Sequence, residues 1–171
     1  MNNRESARSS KKVYILAYGA MIAAIYVALT VPFQPIAFGP IQFRVSEVLC
    51  ILPFFTPAAI PGLFIGCLLS NFLCGAVIYD VIFGSMATLI GAILSWYLRR
   101  WKYAVSIPPI IANMLIVPWV LRYAYGAEDA IWFMMITVGI GEILAIGVLG
   151  NGLLYLLSKN KKVTQFLKGN F

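Results

Sequence analysis

Residues 43–75 read FRVSEVLCILPFFTPAAIPGLFIGCLLSNFLCG, and Arg44 and Glu47 are the two ionisable side chains in this stretch. Three prolines within residues 53–61 divide it. A helix that crosses a bilayer needs about 20 mostly apolar residues. We therefore predict two membrane-embedded helices here. The first, from about residue 43 to residue 55, is short and is expected to be tilted or partly buried by its neighbours.

The composition of the whole chain agrees with a membrane protein. Of its 171 residues, 61% are hydrophobic and only 11% are charged, whereas a soluble domain carries about 25% charged residues. This excludes a soluble globule and a disordered chain. The sequence has no histidine, which argues against zinc hydrolases, histidine-based triads and imidazole proton relays. The three cysteines fall in apolar runs and are predicted to be buried packing residues.

Basic residues separate the apolar runs. All but two of the thirteen lysines and arginines lie in three clusters. Because basic residues concentrate in cytoplasmic loops, the net charge of +7 indicates membrane orientation rather than nucleic-acid binding. The clusters are Arg4, Arg8, Lys11 and Lys12; Arg99, Arg100 and Lys102; and Lys159, Lys161, Lys162 and Lys168.

The positions of these clusters predict the topology. An even number of crossings must separate the first cluster from the central one, and four fit the apolar segments between them; two more return the C-terminus to the cytoplasm. We predict an all-α bundle of six transmembrane helices with both termini cytoplasmic and a binding pocket that faces outward. Residues 1–12 and 159–171 are predicted to be basic cytoplasmic tails, and residues 13–158 the transmembrane substrate-binding domain.

Five polar residues from five predicted helices lie in the outer half of the membrane. At 1.5 Å per residue, Glu47 and Asn71 lie about 6 Å below the outer surface, Asp80 lies at it, and Asn113 and Glu142 lie about 16 Å deep. Polar groups at such depths are costly and usually face a cavity or a partner. Because none of these polar residues lies in the inner half, the pattern favours a pocket that opens only to the outside, rather than a pore across the membrane. The alternative is a set of interhelical hydrogen bonds that hold the bundle together.

The charge of this region suggests the kind of ligand. Arg44 precedes Glu47 by three residues and can pair with it along a helix face. With three acidic residues and one arginine, the region has a net negative charge. This favours a cationic or hydrogen-bond-donating ligand, such as a planar guanine-like ring. Aromatic side chains near the outer helix ends are candidates for stacking on such a ring, or form the interfacial belt; the belt is favoured for Trp132 and Tyr125. The candidates are Phe33, Phe43, Tyr79, Trp119, Tyr123 and Trp132.

The segment 32–42, between the first two helices, contains three prolines. It is either an interfacial hairpin or a lid over an external pocket. In the second case Phe33, Gln34, Phe38 and Gln42 are the candidate gating residues.

Small residues form a stripe on the first helix, where Ala20, Ala24 and Ala28 recur every four residues. Such stripes allow close helix approach, either inside the bundle or against another membrane protein. The sequence contains no phosphate-binding loop motif. If uptake is driven by ATP, another chain must hydrolyse it.

Three blocks carry a family resemblance: residues 38–75, which read FGPIQFRVSEVLCILPFFTPAAIPGLFIGCLLSNFLCG; residues 79–92, which read YDVIFGSMATLIGA; and residues 138–145, which read VGIGEILA. The sequence resembles the QueT family, the substrate-capture (S) components of energy-coupling factor (ECF) transporters. The resemblance implies a non-enzymatic six-helix subunit for queuosine precursors, 7-deazaguanines such as prequeuosine or queuine. It also implies a transmembrane coupling protein, docked on the alanine stripe, and two ABC-type ATPases as partners, in the cell membrane and without a cofactor.

Each polar residue then has an expected role. Glu47 and Glu142 are expected to accept hydrogen bonds from the donors of the ring. Asp80 is expected to bind an aminomethyl cation, if the ligand has one. Asn71 and Asn113 are expected to supply orienting amide bonds, Arg44 to fix Glu47 and the lid, and Phe43 to line the site.

Four alternatives remain open from the residues. The chain could be a stand-alone proton-coupled transporter with an intramembrane glutamate as the proton carrier, or an S component for another vitamin-like cation. An intramembrane enzyme is disfavoured because no serine or aspartate pair has catalytic spacing. A structural subunit would show no saturable binding of a small molecule.

Overall fold

A computed structural model describes residues 3–37 and 42–168, in which helices are joined by short turns and loops and no strand is present. We name the α-helices α1 to α8 in chain order and call Val45–Phe54, a 3-10 helix, the central 3-10 helix. The elements are α1 Asn3–Thr30, a 3-10 turn Val31–Phe33, α2 Gln34–Ala37, the central 3-10 helix, α3 Ala59–Leu73, α4 Ile78–Tyr97, 3-10 turns Leu98–Arg100 and Ala104–Ser106, α5 Ile107–Ala124, α6 Ile131–Glu142, a π-helical segment Ile143–Gly150, α7 Asn151–Lys159 and α8 Lys161–Lys168.

Within the described residues, four helical stretches are long and apolar enough to cross a membrane: Lys12–Ala37, Ile78–Arg100, Ala104–Ala124 and Ile131–Lys159. The two apolar helices between the first and second of these, the central 3-10 helix and α3, are shorter. Large apolar side chains are exposed along the outer faces of the helices, which is the surface that a lipid environment requires. The predicted all-helical, multi-pass membrane fold is confirmed at this level.

Glycines bring two helix pairs into close contact. A Cβ atom at Gly62 would lie 2.8 Å from the carbonyl oxygen of Gly19, and one at Gly66 would lie 2.7 Å from Cβ of Tyr26. A Cβ at Gly91 of α4 would lie 2.6 Å from Cα of Pro109 in α5. Small residues at these crossings therefore allow α3 to pack on α1 and α5 to pack on α4.

The central 3-10 helix lies in the middle of the bundle. Seven of its ten residues are buried, and it contacts α1, α3, α4 and the π-helical segment. A 3-10 helix rises about 2.0 Å per residue, so ten residues cover about 20 Å, compared with about 15 Å in an α-helix. The short helix predicted over residues 43–55 is therefore present, buried by its neighbours as expected.

The segments that carry the basic clusters meet at one end of the bundle. The hydroxyl of Tyr14, two residues after the first basic cluster, donates to the carbonyl oxygen of Phe166 in α8 at 2.9 Å. Lys102, between α4 and α5, has its Nζ 5.6 Å from the ring centroid of Tyr155 in α7. The α3–α4 turn and the α5–α6 loop lie at the opposite end.

The alanine stripe of α1 does not take part in packing within the described bundle. Ala20, Ala24 and Ala28 are exposed, whereas Ile22 and Tyr26 of the same helix are buried in the core. The stripe is therefore available to another molecule.

Candidate functional site

The polar residues predicted to lie in the membrane are all buried in the bundle. These residues are at most 5% exposed, although they come from separate helices and from the segment that precedes the central 3-10 helix. We call them the buried polar cluster. Its members are Arg44, Glu47, Asn71, Asp80, Asn113 and Glu142.

Glu47 is held by two donors from the protein. Tyr26 of α1 donates its hydroxyl to Oε1 at 2.5 Å, and the Cys50 thiol donates to Oε2 at 2.8 Å. Residues three apart are aligned in a 3-10 helix, which places Cys50 directly below Glu47. Thr30 of α1 also donates to the Ser46 hydroxyl at 2.7 Å. These bonds fix the central 3-10 helix against α1.

Arg44 pairs with Asp80, since its Nη2 lies 3.7 Å from Oδ2 of the aspartate. The backbone of Arg44 is extended (φ −95°, ψ 110°) and precedes the first turn of the central 3-10 helix. Arg44 and Glu47 therefore do not share a helix face in the way that the sequence spacing suggested. Arg44 still interacts electrostatically with Glu47, and its ion pair connects the central 3-10 helix to α4.

Tyr125, in the α5–α6 loop, contacts this network through its hydroxyl, although the residue is 44% exposed. Its hydroxyl donates to Oδ2 of Asp80 at 3.1 Å and accepts from the backbone N–H of Val77 at 3.3 Å. Burial and the adjacent Asp80 carboxylate raise the pKa of the Tyr125 phenol. The phenol therefore keeps its proton at neutral pH and remains a donor to Asp80.

Asn71 and Asp80 lie beside a glycine. Asn71 donates from Nδ2 to the backbone oxygen of Asp80 at 3.2 Å. A Cβ at Gly84 would lie 2.9 Å from Oδ1 of Asp80 and 3.2 Å from Nδ2 of Asn71. Behind them, the sulfur of Cys67 lies 3.4 Å from Oγ1 of Thr88. The glycine thus allows the two polar side chains to lie against α4.

Asn113 and Glu142 meet as their equal predicted depth suggested. Asn113 of α5 donates from Nδ2 to Oε1 of Glu142 at 3.0 Å. Glu142 is the last residue of α6, where the helix widens into the π-helical segment, a deviation that is frequent at functional sites. Glu142 also interacts electrostatically with Glu47 and Arg44. Electrostatic interaction thus links the Asn113–Glu142 pair to Glu47 and Arg44.

Three buried oxygen atoms of the cluster accept no hydrogen bond within the described part of the chain. They are Oδ1 of Asn71, Oδ1 of Asp80 and Oε2 of Glu142. Buried polar atoms nearly always have partners, and an unsatisfied one costs about 1–3 kcal/mol. Since all three atoms are acceptors, the arrangement suits a small molecule rich in donors.

The predicted lid is only partly described. Phe33 is 42% exposed, and Gln34 donates from Nε2 to the carbonyl oxygen of Cys74 at 2.9 Å, which connects α2 to the end of α3. Phe38 lies outside the described residues.

Beyond that gap, the chain returns to the bundle at Gln42, which is buried and has a left-handed backbone with φ 48°. Phe43 is half-buried and packs against the hydrophobic core. Among the described lid residues, Gln34 therefore borders the bundle at the end where α3 meets α4.

The other aromatic candidates lie apart from the buried polar cluster. Tyr79, Trp119 and Tyr123 line an apolar groove of about 540 Å³ between α4 and α5, together with Phe83. Trp132 is 66% exposed, which fits its assignment to the interfacial belt.

Tyr26 is a functional residue that the sequence pattern did not predict, and the cysteines were predicted to be packing residues alone. Cys50 instead donates to Glu47, and Cys67 lies 3.9 Å from Nη1 of Arg44. A signal for Tyr26 was available, because a tyrosine in the middle of a spanning helix must find a partner for its hydroxyl. For the thiols the sequence offered no such signal.

Comparison with known proteins agrees with this architecture. Residues 16–159 match the family described as QueT transporter. The queuosine precursor transporter QueT of Lactococcus lactis subsp. cremoris is 44% identical over 81 residues, which are 46% of this chain and 47% of that relative. The match thus spans about half the length of the relative. No solved structure matches the chain. Because the family match covers most of its length, the chain belongs to the QueT transporter family.

Proposed function

We propose that this chain is the membrane-embedded S component of an ECF-type transporter and captures a queuosine precursor, a 7-deazaguanine such as prequeuosine or queuine. One observation carries the proposal: a buried polar cluster with three acceptors that lack donors among the described residues. A guanine-like ring presents a ring N–H and an amino group on one edge, and carboxylate and amide oxygens accept from both. The relative from Lactococcus lactis, a queuosine precursor transporter, supports the same class of ligand.

The proposed binding site is the buried polar cluster, with Phe43 at its border. The proposed gate is the segment that contains Phe33, Gln34, Phe38 and Gln42. The bond from Gln34 to Cys74 supports this role, since it connects the segment to the end of the bundle where Asp80 and Tyr125 lie.

The proposed topology has six crossings of the cell membrane with both termini in the cytoplasm. Four long apolar stretches and two shorter apolar helices support the number of crossings. The basic segments that meet at one end of the bundle support the orientation, because that end is expected to face the cytoplasm.

The chain is proposed to be non-catalytic and to depend on a transmembrane coupling protein and two ABC-type ATPases. The exposed alanine stripe supports a docking face on α1. Beside it, a groove of about 380 Å³ between α1 and α3 is lined by residues that include Gly19, Ala20, Ala23 and Pro61. A smooth surface of this kind permits close contact with another membrane helix.

Ligand binding to the purified protein tests the function and the site together. Wild-type protein is expected to bind a 7-deazaguanine saturably, with a rise in melting temperature by linkage. Glu47→Gln and Glu142→Gln together are expected to abolish measurable binding. Glu128→Gln, which changes an exposed loop residue, is the matched control and is expected to bind normally. Full affinity in the double variant would refute the site.

Reconstitution separates the proposal from the proton-coupled alternative. If this chain requires partners, liposomes that contain it alone accumulate no ligand under a proton gradient. Uptake by the chain alone, dependent on pH and indifferent to ATP, would favour the stand-alone transporter instead.

A further inference from the structure

We propose that Glu142 binds a cationic amine of the ligand, while Asn71 and Asp80 bind the neutral donors of its ring. This division rests on the proposed function and specifies its substrate: a 7-deazaguanine with a protonated amine is preferred over a neutral one. It reverses the roles expected from sequence, in which Glu142 served the ring and Asp80 the cation.

The charge of Asp80 already has a counter-charge. Arg44 lies 3.7 Å from Oδ2 of Asp80, and the Tyr125 hydroxyl donates to the same oxygen. A second cation beside Asp80 would also lie close to the guanidinium of Arg44. Repulsion between two positive charges at short distance is strong in a buried site. The remaining oxygen, Oδ1, therefore suits a neutral donor.

Asn71 completes this part of the site. Its Oδ1 and the Oδ1 of Asp80 both lack donors among the described residues, and both side chains lie beside Gly84. The amide oxygen of Asn71 and the charge-balanced carboxylate oxygen of Asp80 are two acceptors without excess charge. This is the complement of a ring N–H next to an amino group.

Glu142, unlike Asp80, has a neutral side chain as its hydrogen-bonding partner. Within the described structure, the neutral amide of Asn113 donates a hydrogen bond to Oε1 of Glu142. The other carboxyl oxygen, Oε2, accepts no hydrogen bond from the described residues. The nearby acid with which it interacts is Glu47, whose own donors are the neutral groups of Tyr26 and Cys50. Arg44 also acts on Glu142, but its ion pair is with Asp80.

The Glu47–Glu142 side of the cluster therefore holds two carboxyl groups whose side-chain hydrogen-bond donors are neutral. A buried carboxylate without a close counter-ion is costly. A ligand ammonium at Oε2 of Glu142 would supply both a donor and the missing positive charge, in a charge-assisted hydrogen bond.

Two ligands and two variants test this division. The ligands are 7-aminomethyl-7-deazaguanine, which is cationic, and 7-cyano-7-deazaguanine, which has the same ring and a neutral substituent. Wild-type protein is expected to bind the cation about 10- to 100-fold more tightly. Glu142→Gln, which keeps an acceptor for Asn113, is expected to remove that preference by weakening the cationic ligand much more than the nitrile.

Asp80→Asn is the contrasting variant and is expected to weaken the nitrile as well as the cationic ligand, because it alters an acceptor for the ring. Glu128→Gln again serves as the control for loss of an acidic residue. An unchanged preference in Glu142→Gln, or a preference lost only in Asp80→Asn, would overturn the division. Equal or tighter wild-type binding of the nitrile would overturn the selectivity but leave the proposed function standing. Wild-type binding of neither ligand contradicts the proposed function itself.

Discussion

The Tyr26 hydroxyl lies 2.5 Å from Oε1 of Glu47 in the interior of the bundle, and Tyr26 is fully buried. This bond positions a carboxylate that the sequence had already singled out. Glu47 is therefore available to the site only in the orientation that α1 and Cys50 impose on it.

Tyr26→Phe is expected to lower the melting temperature of the purified protein. The substitution removes one donor from a buried carboxylate, at a cost of about 1–3 kcal/mol. Tyr123→Phe is the matched control, since Tyr123 is 78% exposed, and it is expected to melt like wild type. Equal melting temperatures for both variants and wild type would show that Tyr26 does not hold Glu47.

Sequence reasoning identified every acid and amide of the cluster but not their pairings. Depth along a helix follows from residue spacing, so Asn113 and Glu142 were expected at the same depth in the membrane. In the structure, Nδ2 of Asn113 lies 3.0 Å from Oε1 of Glu142. The partners of Arg44 depended on backbone that is extended rather than helical. The contact of Tyr125 with Asp80 depended on how the α5–α6 loop folds back over the bundle.

At the scale of elements, the glycine-lined contact between α1 and α3 determines where Tyr26 and Glu47 lie. A Cβ at Gly66 would lie 2.7 Å from Cβ of Tyr26, which is closer than two carbons can approach without movement of the helices. The spacing of Gly62 and Gly66 in the sequence indicated a close contact, and the structure shows that α1 is the helix in contact.

Gly66→Ala is expected to destabilise the protein by about 1–3 kcal/mol through overpacking, and to weaken ligand binding because Tyr26 moves. Gly152→Ala is the control, because a Cβ at Gly152 would contact nothing within 4 Å. That variant is expected to be neutral or slightly stabilising, as alanine favours a helix. Thermal unfolding measures both, and a Gly66→Ala variant as stable as Gly152→Ala would contradict the packing account.

The 3-10 geometry of residues Val45–Phe54 was not predictable from sequence, because long 3-10 helices are uncommon. The apolar pattern and Pro53 indicated a short buried helix without fixing its winding. Its three-residue repeat is what brings Cys50 to Glu47.

At the scale of the whole molecule, the buried polar cluster and the alanine stripe are separate surfaces. The cluster is enclosed by the bundle, whereas Ala20, Ala24 and Ala28 are exposed on α1. Capture of the ligand and coupling to partners should therefore be separable by mutation.

Ala20→Trp together with Ala24→Trp is expected to abolish ATP-driven uptake in cells and to leave ligand binding by the purified protein within about 3-fold of wild type. The bulky rings prevent close approach of a partner helix. Ile136→Trp, on the exposed face of α6, controls for a large side chain in the membrane. Unimpaired uptake by the double variant would exclude the stripe as the docking face.

Native mass spectrometry of the protein purified from cells supplied with a queuosine precursor tests whether this chain captures a 7-deazaguanine. One 7-deazaguanine is expected on each wild-type chain, and none on the Glu47→Gln, Glu142→Gln double variant. A wild-type chain that carries no small molecule, or carries one of another chemical class, would contradict the proposed capture.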